Sequence, residues 1–102
     1  MLWMWLFGKF VGGSVFGTKD VRDGEIWFRP PMSCAAEVSA IPPESMEAIR
    51  GDVLQWIAEG RRDKDIIASL RQKGTSETFA KWVTSTLRCY GDVAILKRPQ
   101  DP

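Results

Sequence analysis

The sequence predicts a mainly α-helical fold: a small three-helix bundle with an extended N-terminal arm and a short extended C-terminal tail. Three observations carry this expectation. Apolar residues recur at three- and four-residue steps in three separate stretches. Each stretch ends at a glycine, Gly60, Gly74 or Gly91. The segments outside them, 17–31 and 93–96, carry a turn dipeptide, paired prolines or a short apolar run instead. The chain accordingly divides into an apolar, Trp-rich N-terminal anchor and extended arm over residues 1–31 and a helical domain over residues 32–102.

The first element is the run MLWMWLFGKFVGGSVF. Its strongly apolar part, residues 1–7, falls far short of the roughly 20 residues that span a bilayer. It lacks the basic start of a secretion signal, and a lone Lys9 is a poor match to an Arg-rich transit peptide. The chain holds five tryptophans, and tryptophan suits a boundary where an apolar body is buried while its N–H meets a polar group. Three readings stay open for the run: an anchor for a protein partner, an interfacial membrane segment, or packing on the domain's own core. Trp3, Trp5, Phe7 and Phe10 are the candidate partner-binding residues. An exposed apolar run is an aggregation liability in a free monomer, so protein subunits of a larger complex are the expected partners. Membrane contact through residues 1–16 is the further option.

Next comes Asp23-Gly24, a strong turn dipeptide, leading into the extended-looking EIWFRPP. A hairpin with the residues before Asp23, back to Val15 and Phe16, fits this pattern. Pro30-Pro31 is expected to insulate the arm from the helical domain.

The helices read more firmly. Pro42 and Pro43 suit a helix start, because the first turn has no use for their missing N–H. Met46, Ile49, Val53, Trp56 and Ile57 then form one stripe, closed by Gly60. The charged run RRDKD makes a solvated turn, and Asp63 is placed to cap the second helix. Ile66, Ile67 and Leu70 form that helix's apolar face, and Gly74 ends it. Thr75 or Ser76 caps a third helix with Phe79, Trp82, Val83, Leu87 and Tyr90 on one side and Gly91 closing it. VAIL is then a short extended tail before Pro99. Short loops between three helices favour an antiparallel bundle, with these apolar residues as its core.

Composition bounds the function. At 102 residues and 11.5 kDa the chain is one small domain with a modest core. A hydrophobic content of 44% with 26% charged residues is that of an ordinary globular chain. The net charge of +1, with basic and acidic residues interleaved, gives no electrostatic reason to expect nucleic acid, although local RNA contact inside a large assembly stays open. The absence of histidine removes Ser-His and Cys-His nucleophile pairs, histidine metal ligands and histidine haem ligands. Two cysteines cannot make a four-thiolate zinc site. No phosphate-loop motif is present. No metal or cofactor of its own is therefore expected, and a self-contained enzyme is not expected either.

Several pieces in one order carry a resemblance. Cys34 comes first, then Ile57-Ala58-Glu59-Gly60, then Asp65-Ile66-Ile67 with Leu70, and last Tyr90-Gly91-Asp92 with Val93, Leu96 and Pro99. Over about two-thirds of its length the chain thus resembles the cytochrome c maturation H family, the CcmH/NrfF haem-lyase subunits. That family has a small three-helix domain with an L-R-C-x-x-C motif, and Cys34 stands where the second motif cysteine would. Pro31 occupies the position of the first. GTSETFAKWVTST looks like an insertion, and Leu87-Arg88-Cys89 reads like the start of the dithiol motif but runs straight into YGD. No membrane helix is expected after Pro99, whereas the family usually has one.

The resemblance implies thiol-disulfide exchange on apocytochrome c, with haem involved only through a partner. Such exchange needs an attacking thiolate and a second thiol to resolve the mixed disulfide. Without a C-x-x-C, that leaves Cys34 with Cys89 as the candidate catalytic residues. Three states stay open for them: two free cysteines, a structural disulfide closing a loop of about 55 residues and worth about 4 kcal/mol, or a working redox pair. Two functions fit the resemblance. The first is a non-catalytic accessory subunit of a mitochondrial, inner-membrane-associated assembly of the respiratory-chain type. The second is a divergent haem-lyase accessory protein, mitochondrial or in a bacterial envelope, that works on apocytochrome c through Cys34.

Overall fold

The computed structural model describes residues 17–101. Residues 1–16, with the expectations placed on Trp3, Trp5, Phe7 and Phe10, lie outside the described residues.

Two strands come first: β1, Thr18–Arg22, and β2, Glu25–Arg29. Asp23 and Gly24 both take positive φ, 50° and 81°, which is the backbone a two-residue type I′ turn requires. The turn fixes the antiparallel register, with Arg22↔Glu25, Asp20↔Trp27 and Thr18↔Arg29. The expected hairpin is present from Thr18 onward.

Helix α1, Met32–Ser39, begins directly after Pro31. The Cys34 N–H donates to the Pro31 carbonyl at 3.1 Å, so the proline serves as the start of a helix. Cys34 and Val38, four residues apart, form the buried edge of α1. Helix α2, Pro43–Ala58, has Pro43 in its first turn and buries Met46 and Val53. Helix α3, Asp63–Gln72, buries Ile66 and Leu70. Both end in the same motif. Gly60 N–H donates to Ile57 and Arg61 N–H to Trp56, and likewise Gly74 donates to Arg71 and Thr75 to Leu70. Helix α4, Glu77–Tyr90, starts at Ser76, whose hydroxyl accepts from the Phe79 N–H at 3.1 Å. The expected Asp63 cap is not made: Arg62 holds the cap position, and Asp63 instead receives Arg88 Nη2 at 2.7 Å.

A 3-10 turn, Gly91–Val93, leads into β3, Ala94–Leu96, which lies parallel to β2 with Ile26↔Ala94, Trp27↔Ile95 and Phe28↔Leu96 in register. The sheet order is β1-β2-β3. The mainly helical expectation holds, while the three-helix bundle is corrected, among the described residues, to four helices on a small sheet. The tail is a strand because β2 offers it an open ladder. The prolines do not insulate the arm: Phe28 is fully buried with Val38, Val53, Phe79, Trp82 and Leu96 in one core. Seven of the 14 residues of α4 are buried, and this helix touches α1, α2, α3 and β3, which makes it the axis of the fold.

Candidate functional site

The two cysteines are the first candidates. Cys34 lies on α1 with 2% of its surface exposed, and Cys89 lies on α4 facing solvent; both thiols are free. Desolvation, with the Glu37 carboxylate one turn on adding to it, pushes the Cys34 thiol up to about 11. At neutral pH Cys34 is therefore a protonated, enclosed thiol, the opposite of an exchange-active thiolate. Glu37 itself is engaged elsewhere, accepting from the Ser76 N–H at 2.9 Å and the Ser76 hydroxyl at 2.5 Å, so it ties α1 to the start of α4. Among the described residues no group of three or more Cys, Asp or Glu could hold a metal ion. No helix among them is long and apolar enough to cross a membrane.

The closing signature Tyr90-Gly91-Asp92 forms the junction between α4 and β3. Gly91 takes φ 68° at the helix end. Arg50 on α2 reaches this junction, with Nε donating to the Ala94 carbonyl at 2.7 Å and Nη2 donating to the Asp92 carbonyl. Tyr90 packs against Phe28 with the rings tilted by 49° and centroids 4.8 Å apart. These residues hold the strand against the helices.

A different surface emerges on the solvent side of the sheet. Alternation along EIWFR turns Ile26 and Phe28 to the core and Trp27 outward. The Arg22 guanidinium sits 4.6 Å from the Trp27 ring centroid and the Lys97 ammonium 4.2 Å from it, and the indole N–H donates to Glu25 at 3.2 Å. Asp20 lies directly opposite Trp27 and pairs with Arg22 at 2.8 Å. The register sets Ile95 beside Trp27 on the other side. Of the residue types gathered here, tryptophan and arginine are the ones enriched at protein interfaces. A smaller version lies on the helical side, where Arg61 and Lys73 both stand within 5.3 Å of the Trp56 centroid. Between the end of α3 and the start of α4, Ala68, Arg71, Gln72, Gly74 and Thr75 line an open depression of about 420 Å³.

Sequence reasoning singles out Cys34 and Cys89 but misses Trp27 with its two cations. The alternation in EIWFR is the signal that could have found Trp27. Nothing local announces Lys97, which arrives only through the parallel pairing of β3. Compared with known proteins, the chain matches no family model, no curated protein and no solved structure.

Proposed function

We propose that this chain is a non-catalytic accessory subunit that binds other proteins within a larger assembly, in a mitochondrial, membrane-associated setting of the respiratory-chain type. The observation that carries the reading is the state of Cys34: an enclosed thiol raised to about 11, where exchange chemistry needs an accessible thiolate. The Trp27 surface with Arg22 supports a binding role, since tryptophan and arginine are common anchors in protein interfaces. The mitochondrial setting rests on the resemblance to the cytochrome c maturation H family, whose dithiol this chain lacks.

The test is isolation of the native protein with whatever co-migrates, and then two variants. Under this reading Cys34→Ser leaves holocytochrome c unchanged, while Trp27→Ala or removal of residues 1–16 releases the protein from its complex. Loss of holocytochrome c on Cys34→Ser, with the fold intact, establishes the thiol-exchange reading in its place.

A further inference from the structure

The hairpin geometry determines which backbone groups of β1 are unused. Arg22 and Glu25 flank a two-residue turn and are a hydrogen-bonded pair, so Asp20↔Trp27 and Thr18↔Arg29 are too. The other side of β2 agrees: the Lys97 N–H donates to the Phe28 carbonyl at 2.8 Å, so the Phe28 backbone faces β3 and its neighbours face β1. Lys19 and Val21 therefore turn their N–H and C=O groups away from β2. Among the described residues no strand meets them. The β3 edge differs, because there the outward carbonyl of Ala94 is taken by Arg50.

Side-chain burial falls across the sheet in the same direction. In the row Ala94–Ile26–Val21, the first residue is fully buried, the second half-buried, and Val21 is 64% exposed although it faces the core side. β1 thus offers an open ladder and an uncovered apolar side chain at one place.

We propose that this edge pairs with a second copy of the chain, the two β1 strands running antiparallel about a two-fold axis at Val21, to give one continuous six-stranded sheet. Charge complementarity selects the occupant and the register. In an antiparallel pair, residues directly opposite share a face, so the axis must pass through a residue. An axis at Lys19 opposes two lysines, and an axis at Asp20 opposes two aspartates; both are repulsive. The axis at Val21 opposes Val21 to Val21 and, twice over, Asp20 to the second copy's Arg22. On the solvent face Asp20 and Arg22 of the two chains then alternate in sign. On the core side the two Val21 side chains cover each other between the flanking Ile26 residues, and Lys19 is brought toward the second copy's Asp23. An isologous contact of this kind closes as a dimer and does not propagate.

The test uses the full chain in sedimentation velocity from about 10 μM to about 1 mM, a range that resolves weak association. The mass is expected to rise with concentration toward twice 11.5 kDa. Asp20→Arg and Arg22→Asp each weaken association at least tenfold, by setting like charges opposite one another. The double exchange Asp20→Arg with Arg22→Asp restores it. Arg22 is exposed and Asp20 is half-buried at the surface, neither belonging to the core, so these variants keep the fold. Val21→Pro abolishes pairing, because it removes an N–H that β2 does not use. If Val21→Pro lowers the melting temperature, the charge exchange alone decides. A monomer at every concentration overturns the proposal. So does association that survives Asp20→Arg, or a double exchange that fails to restore it.

Discussion

At the β3 edge of the sheet, Ala94 and Leu96 lie under helices and Arg50 occupies an outward carbonyl; at the β1 edge, Val21 is mostly exposed and no strand among the described residues meets the outward groups of Lys19 and Val21. The same three-stranded sheet is sealed on one side and open on the other. The cause is the placement of α4, which touches β3, together with α2, which supplies Arg50. Stability is therefore concentrated where Phe28, α4 and β3 meet, and among the described residues the β1 side is left exposed at Val21. Four measurements break or sharpen this contrast.

The largest effect is expected at the sealed side. Phe28 is fully buried, packed against Tyr90, and set in register with Leu96. Phe28→Ala removes an aromatic from a core that cannot fully collapse around the void, which costs about 3–5 kcal/mol. Chemical denaturation checks this. A cost below about 1 kcal/mol, within the range of surface substitutions, means that Phe28 is not part of the sealed core.

The second effect is pH-dependent. Cys34 titrates at 9.0 when unconstrained and at about 11 in the fold, because burial first and Glu37 second disfavour the thiolate. The folded state thus holds its proton more tightly than the unfolded state. This contribution is fully present below pH 9 and is lost as pH rises through about 11. The loss relative to Cys34→Ala amounts to about 2–3 kcal/mol. Denaturation of both proteins between pH 8 and pH 11 reads it directly, and parallel curves mean that α1 does not enclose the thiol. Alkylation at neutral pH should accordingly modify Cys89 and leave Cys34 intact until the chain unfolds.

The sealed side is only partly legible in the sequence. Stripes such as Met46–Val53 and Ile66–Leu70, with glycines after them, mark helices because a helix must bury one face and then stop. Asp23-Gly24 marks the hairpin for the same local reason. Helix α1 carries no such mark, because MSCAAEVS buries only two residues, one of them a cysteine, and comes after a proline pair that reads as a break. β3 reads as a tail because its partner is Phe28, 68 residues earlier, and no local pattern encodes a parallel pairing. The same distance hides the Lys97–Trp27 contact. The depth of Cys34 is likewise unreadable, since it depends on α1.

A third measurement concerns the interior of α4. Thr84 is fully buried, and its hydroxyl has no hydrogen-bond partner among the described residues. An unpaired buried hydroxyl costs about 1–3 kcal/mol, whereas valine fills the same space without a polar group. Thr84→Val is expected to stabilise the fold by about 1 kcal/mol, which raises the melting temperature by about 4 °C or more. A lowered melting temperature instead shows that the hydroxyl has a partner in solution, with a buried water the first candidate.

The smallest effect belongs to the open edge, and its smallness is what carries the contrast. Val21 faces the core side of β1, as Phe28 does on β2, so alternation alone would rank them together. Burial separates them: Val21→Thr keeps the β-branched shape, leaves the β1–β2 ladder untouched, and puts a hydroxyl where water already reaches. Its cost is within about 0.5 kcal/mol when measured at low protein concentration, where the chain is monomeric. At high concentration the same substitution places a hydroxyl at the centre of the paired edge, so its cost grows with concentration if the edge is occupied there. A cost above about 1 kcal/mol at low concentration means that something already covers Val21 in the single chain, and the edge is then sealed as firmly as β3.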